Sequence, residues 1–208
     1  MGVKFVLASG SPRRKEIFDT FGIEYKVITT DAEEDVNTEG MSPEQTVQEL
    51  ALAKGRAVAE MFKDEEEHTY IVVSADTVVA SRNKILGKPG SRAEAKKMLK
   101  ALSGKKHSVL TGVCIWKIHP GWVTKGCTVA EKTEVYFKNL SDELIEAYLD
   151  TDEYKDKAGS YGIQGKGAVL VEKIKGDYLN VVGFPVNKFY EILKEEFALD
   201  LNQAEKSL

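Results

Sequence analysis

The sequence predicts an α/β protein, in which helices pack on a sheet with a buried central strand. Residues 3–8 form an apolar run typical of a buried strand, and residues 15–21 follow with apolar positions at helical spacing. Residues 70–75 form a second, near-continuous apolar run, as expected at the centre of a sheet. Amphipathic helices with N-capping signals occupy much of the chain between such runs, as in the capping box from Ser42 to Gln45.

The other segments predict the remaining elements in chain order. In the first half these are a short strand at 25–28, the helix from Ser42, the central strand 70–79 interrupted at 76–77, a hairpin turn at 82–84 and a helix from Ser91 to Gly104. The second half begins with strands 107–118 and 122–137, joined around 120–121, and a helix from Ser141. A glycine-rich loop at 155–167, a hairpin of strands 168–174 and 178–182, and a last helix from Pro185 complete the prediction. The hairpin near Trp116 and Trp122 is open to two interpretations, a flap or a dimer contact. Residues 1–199 are expected to form one domain, and residues 200–208 a frayed tail.

Composition limits the class of ligand. The chain has 208 residues and a net charge of −4, which argues against general nucleic-acid binding because that needs a basic face. A cationic site in an acidic protein suggests a small anionic ligand instead. Cys114 and Cys127 have no metal-ligand spacing with the histidines, so we expect reduced thiols and no zinc. No apolar run reaches membrane-spanning length and no leader opens the chain, which makes the cytoplasm the expected location.

The turn between the first strand and the first helix, residues 8–14, suggests an anion site. Ser11 is a natural N-cap and Pro12 a natural first helical residue, because proline lacks the N–H that would have no partner there. The turn therefore points backbone N–H groups, serine hydroxyls and the guanidinium groups of Arg13 and Arg14 at one spot, which favours phosphate. The alternative is a capped helix with solvated arginines, and this stretch alone leaves the two about even.

Asp76 is the sharpest single signal, because it interrupts a central apolar strand. A carboxylate there must be paired, hydrogen-bonded or bound to a metal, since an isolated buried charge is too costly. Bonding to neighbouring backbone N–H groups is the structural alternative. We favour a functional role, as general base or metal ligand, because other polar residues also stand at strand ends.

Two lysines and one glutamate complete the candidate set. Lys88 precedes Pro89, which keeps the lysine out of a helix, and Lys54 lies beside the apolar stripe of its helix. Each has a structural alternative, a solvated loop for Lys88 and snorkelling for Lys54. With the arginines they would form a cationic clamp for phosphoryl chemistry, and we expect such exposed cations to add little to stability. Glu34, in an acidic run, is a weaker candidate.

The glycine-rich loop 156–165 is not a P-loop, because Ser160 replaces its first glycine and Gly167 stands where serine or threonine is needed. Its glycines allow close backbone approach to a ligand. Its one amide, Gln164, can both donate and accept hydrogen bonds, which suits the edge of a base.

Six short motifs occur together and in order along nearly the whole chain. They are ASGSPRR at 8–14, SADT at 74–77, GKP at 87–89, LSG at 102–104, TGV at 111–113 and DKAGSYGIQG at 156–165. Each is short, but the ordered set is highly specific, and it resembles the Maf family of nucleoside triphosphate pyrophosphatases. The departures from the family, the Trp116–Trp122 hairpin and the tail after Phe197, touch none of these motifs.

The resemblance implies a fold, a reaction and a cofactor. The fold would be like that of the inosine triphosphate pyrophosphatases, with a long twisted mixed sheet, flanking helices and two lobes around a cleft, commonly in a homodimer. The reaction would be hydrolysis between the α and β phosphates, giving nucleoside monophosphate and pyrophosphate with a divalent cation, Mg²⁺ or Mn²⁺. A non-catalytic, nucleotide-responsive regulator of cell division is the alternative. Retention of Asp76 with the cations favours the enzyme.

The resemblance also assigns roles to residues by motif. Asp76 would be the general base, and Lys88 and Arg14 would act with it. The residues expected to contact the triphosphate are Ser9, Arg13, Arg14, Lys54 and Lys88. Glu34 would lie at the site and join Asp76 as a metal ligand. Arg13, Thr77 and Gln164 resemble the branch that acts on dTTP and UTP, although the sequence cannot rank these against CTP and modified pyrimidine nucleotides.

Overall fold

The computed structural model describes residues 3–120 and 122–199, without the side chains of 122–125. The predicted tail at 200–208 lies outside this range, and so do Gly121 and the side chain of Trp122. The helices are α1 (Pro12–Thr20), α2 (Pro43–Glu60), α3 (Arg92–Leu102), α4 (Asp142–Leu149), α5 (Tyr178–Val182) and α6 (Val186–Phe197), with short 3₁₀ helices at Ala158–Ser160 and Gly165–Leu170. The strands are β1 (Val3–Leu7), β2 (Tyr25–Val27), β3 (Thr69–Ser81), β4 (Lys84–Leu86), β5 (Lys106–His119), β6 (Trp122–Phe137) and β7 (Val171–Lys175).

The described residues form one mixed seven-stranded sheet, which confirms the predicted fold class. The order is β2-β1-β3-β5-β6-β7, and β4 pairs with the far end of β3. Strand β1 runs parallel to β2 and β3, whereas β3, β5, β6 and β7 pair antiparallel. The longest strands are β3, β5 and β6, with 13, 14 and 16 residues. The short strands β1 and β4 occupy separate stretches of one edge of β3.

Alternation along the strands divides the core between the two faces of the sheet. Leu7, Ile71 and Val73 point to α1 and α6 and pack with Phe18 and Phe189. Their neighbours in the chain point to the opposite face, where α2 covers them. Towards the other end of β3 and β5, a second large cluster packs against α3 and α4. These clusters give the molecule two packed regions on one continuous sheet, consistent with the two predicted lobes.

The N-terminus of α2 matches its prediction closely. Gln45 N donates to Ser42 Oγ, and the Gln45 side chain accepts from Ser42 N at 2.9 Å, so both halves of the capping box are made. Pro43 stands at the first helical position, where no N–H is needed. Helix α2 packs closely on the sheet because Gly112 of β5 faces it. A Cβ on Gly112 would lie 2.1 Å from the carbonyl oxygen of Val47.

Two predicted elements need correction. Strand β3 runs without a break through Asp76 and Thr77, because both residues keep their backbone pairing with β5. The hairpin predicted over 168–182 is wrong in its second half, which is helix α5. The Asp177 carboxylate caps this helix by accepting from Leu179 N at 2.7 Å, and the fully buried Asn180 anchors it by donating to Val109 O at 3.1 Å.

No helix within the described part of the chain is long and apolar enough to cross a membrane.

Trp116 packs against Val72 and Ile118 in the core under α2, where a Cβ on Gly126 would touch its ring. Trp116 therefore belongs to the body of the protein and not to a projecting flap.

Candidate active site

The site is an opening in one edge of β3. Strand β1 pairs with β3 as far as Leu7 opposite Val73, and β4 pairs with it from Val79 onward. Between them, residues 74–78 have no neighbouring strand on that side within the described residues. Asp76 and Thr77 therefore stand in a central strand and still reach a cleft, whose volume is about 600 Å³. That volume is in the range of small-molecule sites, and the cleft lies beyond the carboxyl end of β1, where open α/β sheets bind ligands.

Eight of the nine predicted site residues line this one cleft, although they come from distant parts of the sequence. They are Ser9, Arg13, Arg14, Lys54, Asp76, Thr77, Lys88 and Gln164. Only Glu34 lies elsewhere.

Arg14 is buried, contrary to the expectation of an exposed cation. Its Nε donates to Gly183 O at 2.9 Å, and its two terminal nitrogens donate to Ser9 Oγ at 2.9 Å and to Thr77 Oγ1 at 3.1 Å. Burial lowers the pKa of Arg14 to about 10, which leaves it cationic at neutral pH. Three of its five N–H donors are thus used inside the protein, and two remain for a ligand.

The N-terminus of α1 differs in detail from the predicted cap. Ser11 is at the N-cap position and Pro12 follows it, but the Ser11 side chain makes no capping hydrogen bond. Ser9 Oγ accepts from Ser11 N at 3.3 Å instead. Ser9 therefore joins the turn to Arg14, and the turn's geometry depends on both residues.

Thr77 is held by a buried chain of hydroxyl groups. Its Oγ1 lies 3.0 Å from Thr111 Oγ1, which donates in turn to Asn180 O at 3.0 Å. Asn180 also donates to Thr133 Oγ1 at 3.0 Å. This chain connects the cleft to β5, β6 and α5, so the Thr77 hydroxyl already serves a structural purpose.

Asp76 is paired with Lys54, which reaches into the cleft from α2. Lys54 Nζ lies 2.8 Å from Asp76 Oδ1 and 3.0 Å from Glu33 Oε1, and all three side chains are largely buried. The second oxygen of Glu33 is buried and receives no hydrogen bond from any described residue. One ammonium group therefore stands between two carboxylates, and one carboxylate oxygen is left without a partner.

Glu33, and not its neighbour Glu34, is the acidic residue that contacts this group. Glu34 is exposed and does not line the cleft. The acidic run at 31–35 offered no pattern to separate the two, because a loop has no periodicity that fixes which side chain points inward. The prediction of Glu34 as a metal ligand therefore has no support from its position.

The remaining predicted cations, Arg13 and Lys88, lie at the cleft's rim. Arg13 is half-buried, with a terminal nitrogen 3.6 Å from Asp156 Oδ2 across the opening. Lys88 is exposed and forms no ion pair with the described residues. Its loop is tied to the 156–160 segment by the hydrogen bond from Gly159 N to Gly87 O at 3.0 Å. Gly159 has a φ of +67° and lies against Val79, so a side chain there would be strained and crowded.

The glycine-rich loop and the N-terminus of α1 both line the cleft. Gly162 N donates to Tyr148 Oη at 3.2 Å, and a Cβ on Gly167 would lie 2.1 Å from Gly162 O. The loop therefore folds tightly on itself. Gln164, at its tip, is exposed and lines the cleft.

Comparison with known proteins gives the family. The model described as "Maf: Maf-like protein" matches residues 4–196. The chain belongs to the Maf-like family. A "dTTP/UTP pyrophosphatase" of Bacillus thuringiensis subsp. konkukian (strain 97-27) is 47% identical over 203 residues, which cover 97% of this chain and 99% of the relative. One of Bacillus anthracis (strain CDC 684 / NRRL 3495) is 46% identical with the same coverage.

Solved structures are more distant. A HAM1 protein from Coxiella burnetii matches 94% of this chain and 100% of its own, with 16% identity and a TM-score of 0.43. At these values the likeness carries no argument about the site of the Maf-like chain.

Sequence reasoning missed four residues of the Maf-like site. Glu33, and Glu153, which lines the cleft, were not separated from solvated acids, and Thr111 in β5 and Asn180 in α5 are fully buried behind Thr77. Only the position of Thr111 in the TGV motif pointed to it, because a buried threonine in a strand has no distinctive pattern.

Proposed function

We propose that this Maf-like protein hydrolyses dTTP and UTP to the nucleoside monophosphate and pyrophosphate, with CTP and modified pyrimidine nucleotides as further substrates. Two curated relatives that align over 99% of their length bear the name dTTP/UTP pyrophosphatase. The observation that carries the proposal is the placement of Asp76 at an opening of the sheet, beside Lys54 and among Arg13, Arg14 and Lys88. A carboxylate among cations is what a base needs beside a polyanionic substrate.

The chemistry follows from this arrangement. Arg13, Lys88 and the two unused N–H groups of Arg14 bind and orient the triphosphate. Asp76 accepts a proton from the water that attacks the α-phosphorus, and the bond from that phosphorus to its bridging oxygen breaks to release pyrophosphate. The cations stabilise the charge that develops on the leaving group. Lys54 keeps Asp76 oriented toward the cleft through the 2.8 Å contact.

A divalent cation suits the same residues. The unpartnered oxygen of Glu33 is buried close to the Lys54–Asp76 pair, and carboxylate oxygens are ligands that Mg²⁺ and Mn²⁺ prefer. We infer that Glu33 and Asp76 hold the ion, in place of the predicted pair of Glu34 and Asp76. When bound, it supplies positive charge to the phosphates and acidifies water.

Base selectivity is proposed to rest on Gln164. Its exposed amide can present an acceptor and donors to uracil or thymine, whose N3–H lies between two carbonyl groups. A guanine offers a different order of donors and acceptors, which would leave polar groups unpaired. The Thr77 hydroxyl is hydrogen-bonded to Arg14 and Thr111, so it is less available to the base than the sequence suggested.

Pyrophosphate release from a panel of nucleoside triphosphates tests the proposal. We expect release with dTTP and UTP, weak release with GTP and 7-methyl-GTP, and loss of activity in EDTA that added Mg²⁺ restores. Asp76→Asn keeps the shape of the side chain but removes the proton acceptor, so kcat should fall at least about a hundredfold in a protein that still folds.

The exposed Asp64→Asn, in the linker after α2, is the matched control and should keep wild-type kinetics. Preference for a guanine nucleotide would refute the pyrimidine assignment. Near-normal turnover by Asp76→Asn would remove this residue from the mechanism.

We also propose that the protein is a homodimer, as the family resemblance implied, and that it is located in the cytoplasm. Light scattering on the purified protein measures the oligomeric state directly, and a mass of one chain at micromolar concentration would contradict the dimer.

A further inference from the structure

Glu153 is a cleft residue that the proposed reaction leaves without a role. It precedes the glycine-rich loop and is half-buried. Its two carboxylate oxygens accept from Lys166 N at 3.2 and 3.1 Å, and Oε2 also lies 3.4 Å from Gly167 N. A negative group in a cleft for a polyanion needs a reason, and these contacts supply one.

The accepted N–H groups are those at the start of the 165–170 helix. Gln164 is at the N-cap position of this helix but makes no capping hydrogen bond with its side chain. Ser, Thr, Asp and Asn at that position accept from the second or third N–H of the helix, and the Gln164 amide carries the same kind of acceptor. Here the Glu153 carboxylate occupies that place. A Cβ on Gly165 would lie only 3.1 Å from Glu153 Oε1, so the chain passes close to the carboxylate.

The consequence concerns Gln164. A helix start with unpaired N–H groups would compete with any ligand for the Gln164 amide. Because Glu153 satisfies those groups, the amide stays free to face the cleft. The tight packing of Gly167 on Gly162 keeps the loop in this one arrangement.

We propose that Glu153 is a positioning residue for base recognition, which caps the 165–170 helix and so leaves the Gln164 amide to the substrate base. This inference rests on the proposed function, and it adds a residue that selects the substrate without touching it. Glu153 acts as a hydrogen-bond acceptor, and its charge is not required.

The test compares UTP with GTP in variants at 153. Glu153→Ala should lower the UTP:GTP ratio of kcat/KM about tenfold, the value of one hydrogen bond, because Gln164 turns back to cap the helix. Glu153→Gln keeps an acceptor and should stay within about threefold of the wild-type ratio. Glu172→Gln, at an exposed position on β7, is the matched control and should change nothing.

A double-mutant cycle tests whether Glu153 acts through Gln164. If it does, Glu153→Ala should add no further loss of selectivity to Gln164→Ala. Additive losses would overturn the proposal. So would an equal loss for UTP and GTP in Glu153→Ala, which indicates general damage to the fold, or a Glu153→Gln variant as impaired as the alanine variant, which indicates a role for the charge.

Binding separates this inference from the proposed reaction. The dissociation constants of the α,β-methylene analogues of UTP and GTP, measured by calorimetry, give the same ratio without turnover. A wild-type protein that releases no pyrophosphate would refute the proposed function. An analogue ratio unmoved by Glu153→Ala would refute the role of Glu153, whatever the turnover.

Discussion

Arg14 shows how burial changes what a residue does. From the sequence it was one of two solvated or phosphate-binding arginines. In the structure it joins the β1–α1 turn, the middle of β3 and the Gly183 carbonyl through three hydrogen bonds. Hydrogen bonds to a charged group contribute more than neutral ones, and a buried network loses most when one partner is removed. The residue therefore belongs to the fold as much as to the clamp.

Replacing Arg14 should consequently cost stability as well as activity. Arg14→Ala removes the three hydrogen bonds donated to Ser9 Oγ, Thr77 Oγ1 and Gly183 O, and we expect a loss of about 3 kcal/mol in the free energy of unfolding. Lys88 is exposed and has no ion pair to the described residues. Lys88→Ala should therefore lower kcat/KM but reduce the free energy of unfolding by less than about 0.5 kcal/mol. Urea unfolding and steady-state kinetics on both variants give the comparison. Equal stabilities would show that the Arg14 network is not structural.

At the scale of elements, the contact of α2 with β5 fixes the position of Lys54. Gly112 has the carbonyl of Val47 directly above it, and Asp76 is the residue paired with Gly112 across the strands. The same close approach therefore brings Lys54 to the carboxylate of Asp76. The sequence predicted the helix and both strands, but not their separation, because that distance depends on which small residue faces the helix.

Gly112→Ala should separate these elements. Its Cβ would lie 2.1 Å from Val47 O. A flexible side chain could change rotamer to relieve this clash, but the backbone of a helix cannot. We expect a loss of about 2–3 kcal/mol in stability and a marked fall in kcat, since Lys54 moves with the helix. Gly87→Ala, where nothing lies within 4 Å of the added carbon, is the control and should stay folded like the wild type. A stable, active Gly112→Ala protein would contradict this account of α2.

At the scale of the whole molecule, the fold should respond to acid through one buried imidazole. His107 lies in the cluster under α3 and α4, with Nε2 2.7 Å from the Tyr161 hydroxyl and its ring edge-on to Phe137. Burial lowers the pKa of His107 from 6.5 to about 4. Between these values the unfolded chain binds a proton that the folded chain does not.

The contribution of neutral His107 to the free energy of unfolding should therefore be fully present above pH 6.5 and should be lost as the pH falls towards 4. A shift of this size corresponds to about 3 kcal/mol, lost at up to ~1.4 kcal/mol per pH unit. His107→Phe, which keeps an aromatic ring, should flatten the dependence of the unfolding free energy on pH in this window. His68→Gln, at a more exposed position in the linker before β3, is the control. An unchanged slope in His107→Phe would assign the acid sensitivity to other groups.

Much of this protein was determined by its local sequence. Apolar periodicity predicted β1, α2, α3, β5 and β6 because burial on one face imposes it, and the capping box predicted the start of α2 because it satisfies local N–H groups. The ordered motifs predicted the family, and seven of the eight predicted residues that line the cleft come from them; Lys54 is the exception. The sequence failed at 178–182, where a tertiary contact of Asn180 and a cap by Asp177 override strand-like composition.

Tertiary structure decided which polar residues face one another. Three features depend on contacts between separate segments of the chain: Glu33 and not Glu34 reaches Lys54, Arg14 is buried against Gly183, and Glu153 caps a helix near Gln164. The opening at residues 74–78 of β3 exists because β1 ends and β4 begins on the same edge. A single strand's sequence cannot encode such a gap, since it is set by the lengths of two other strands. The sequence therefore predicted which residue types make up the candidate site, and the fold determined how they are arranged.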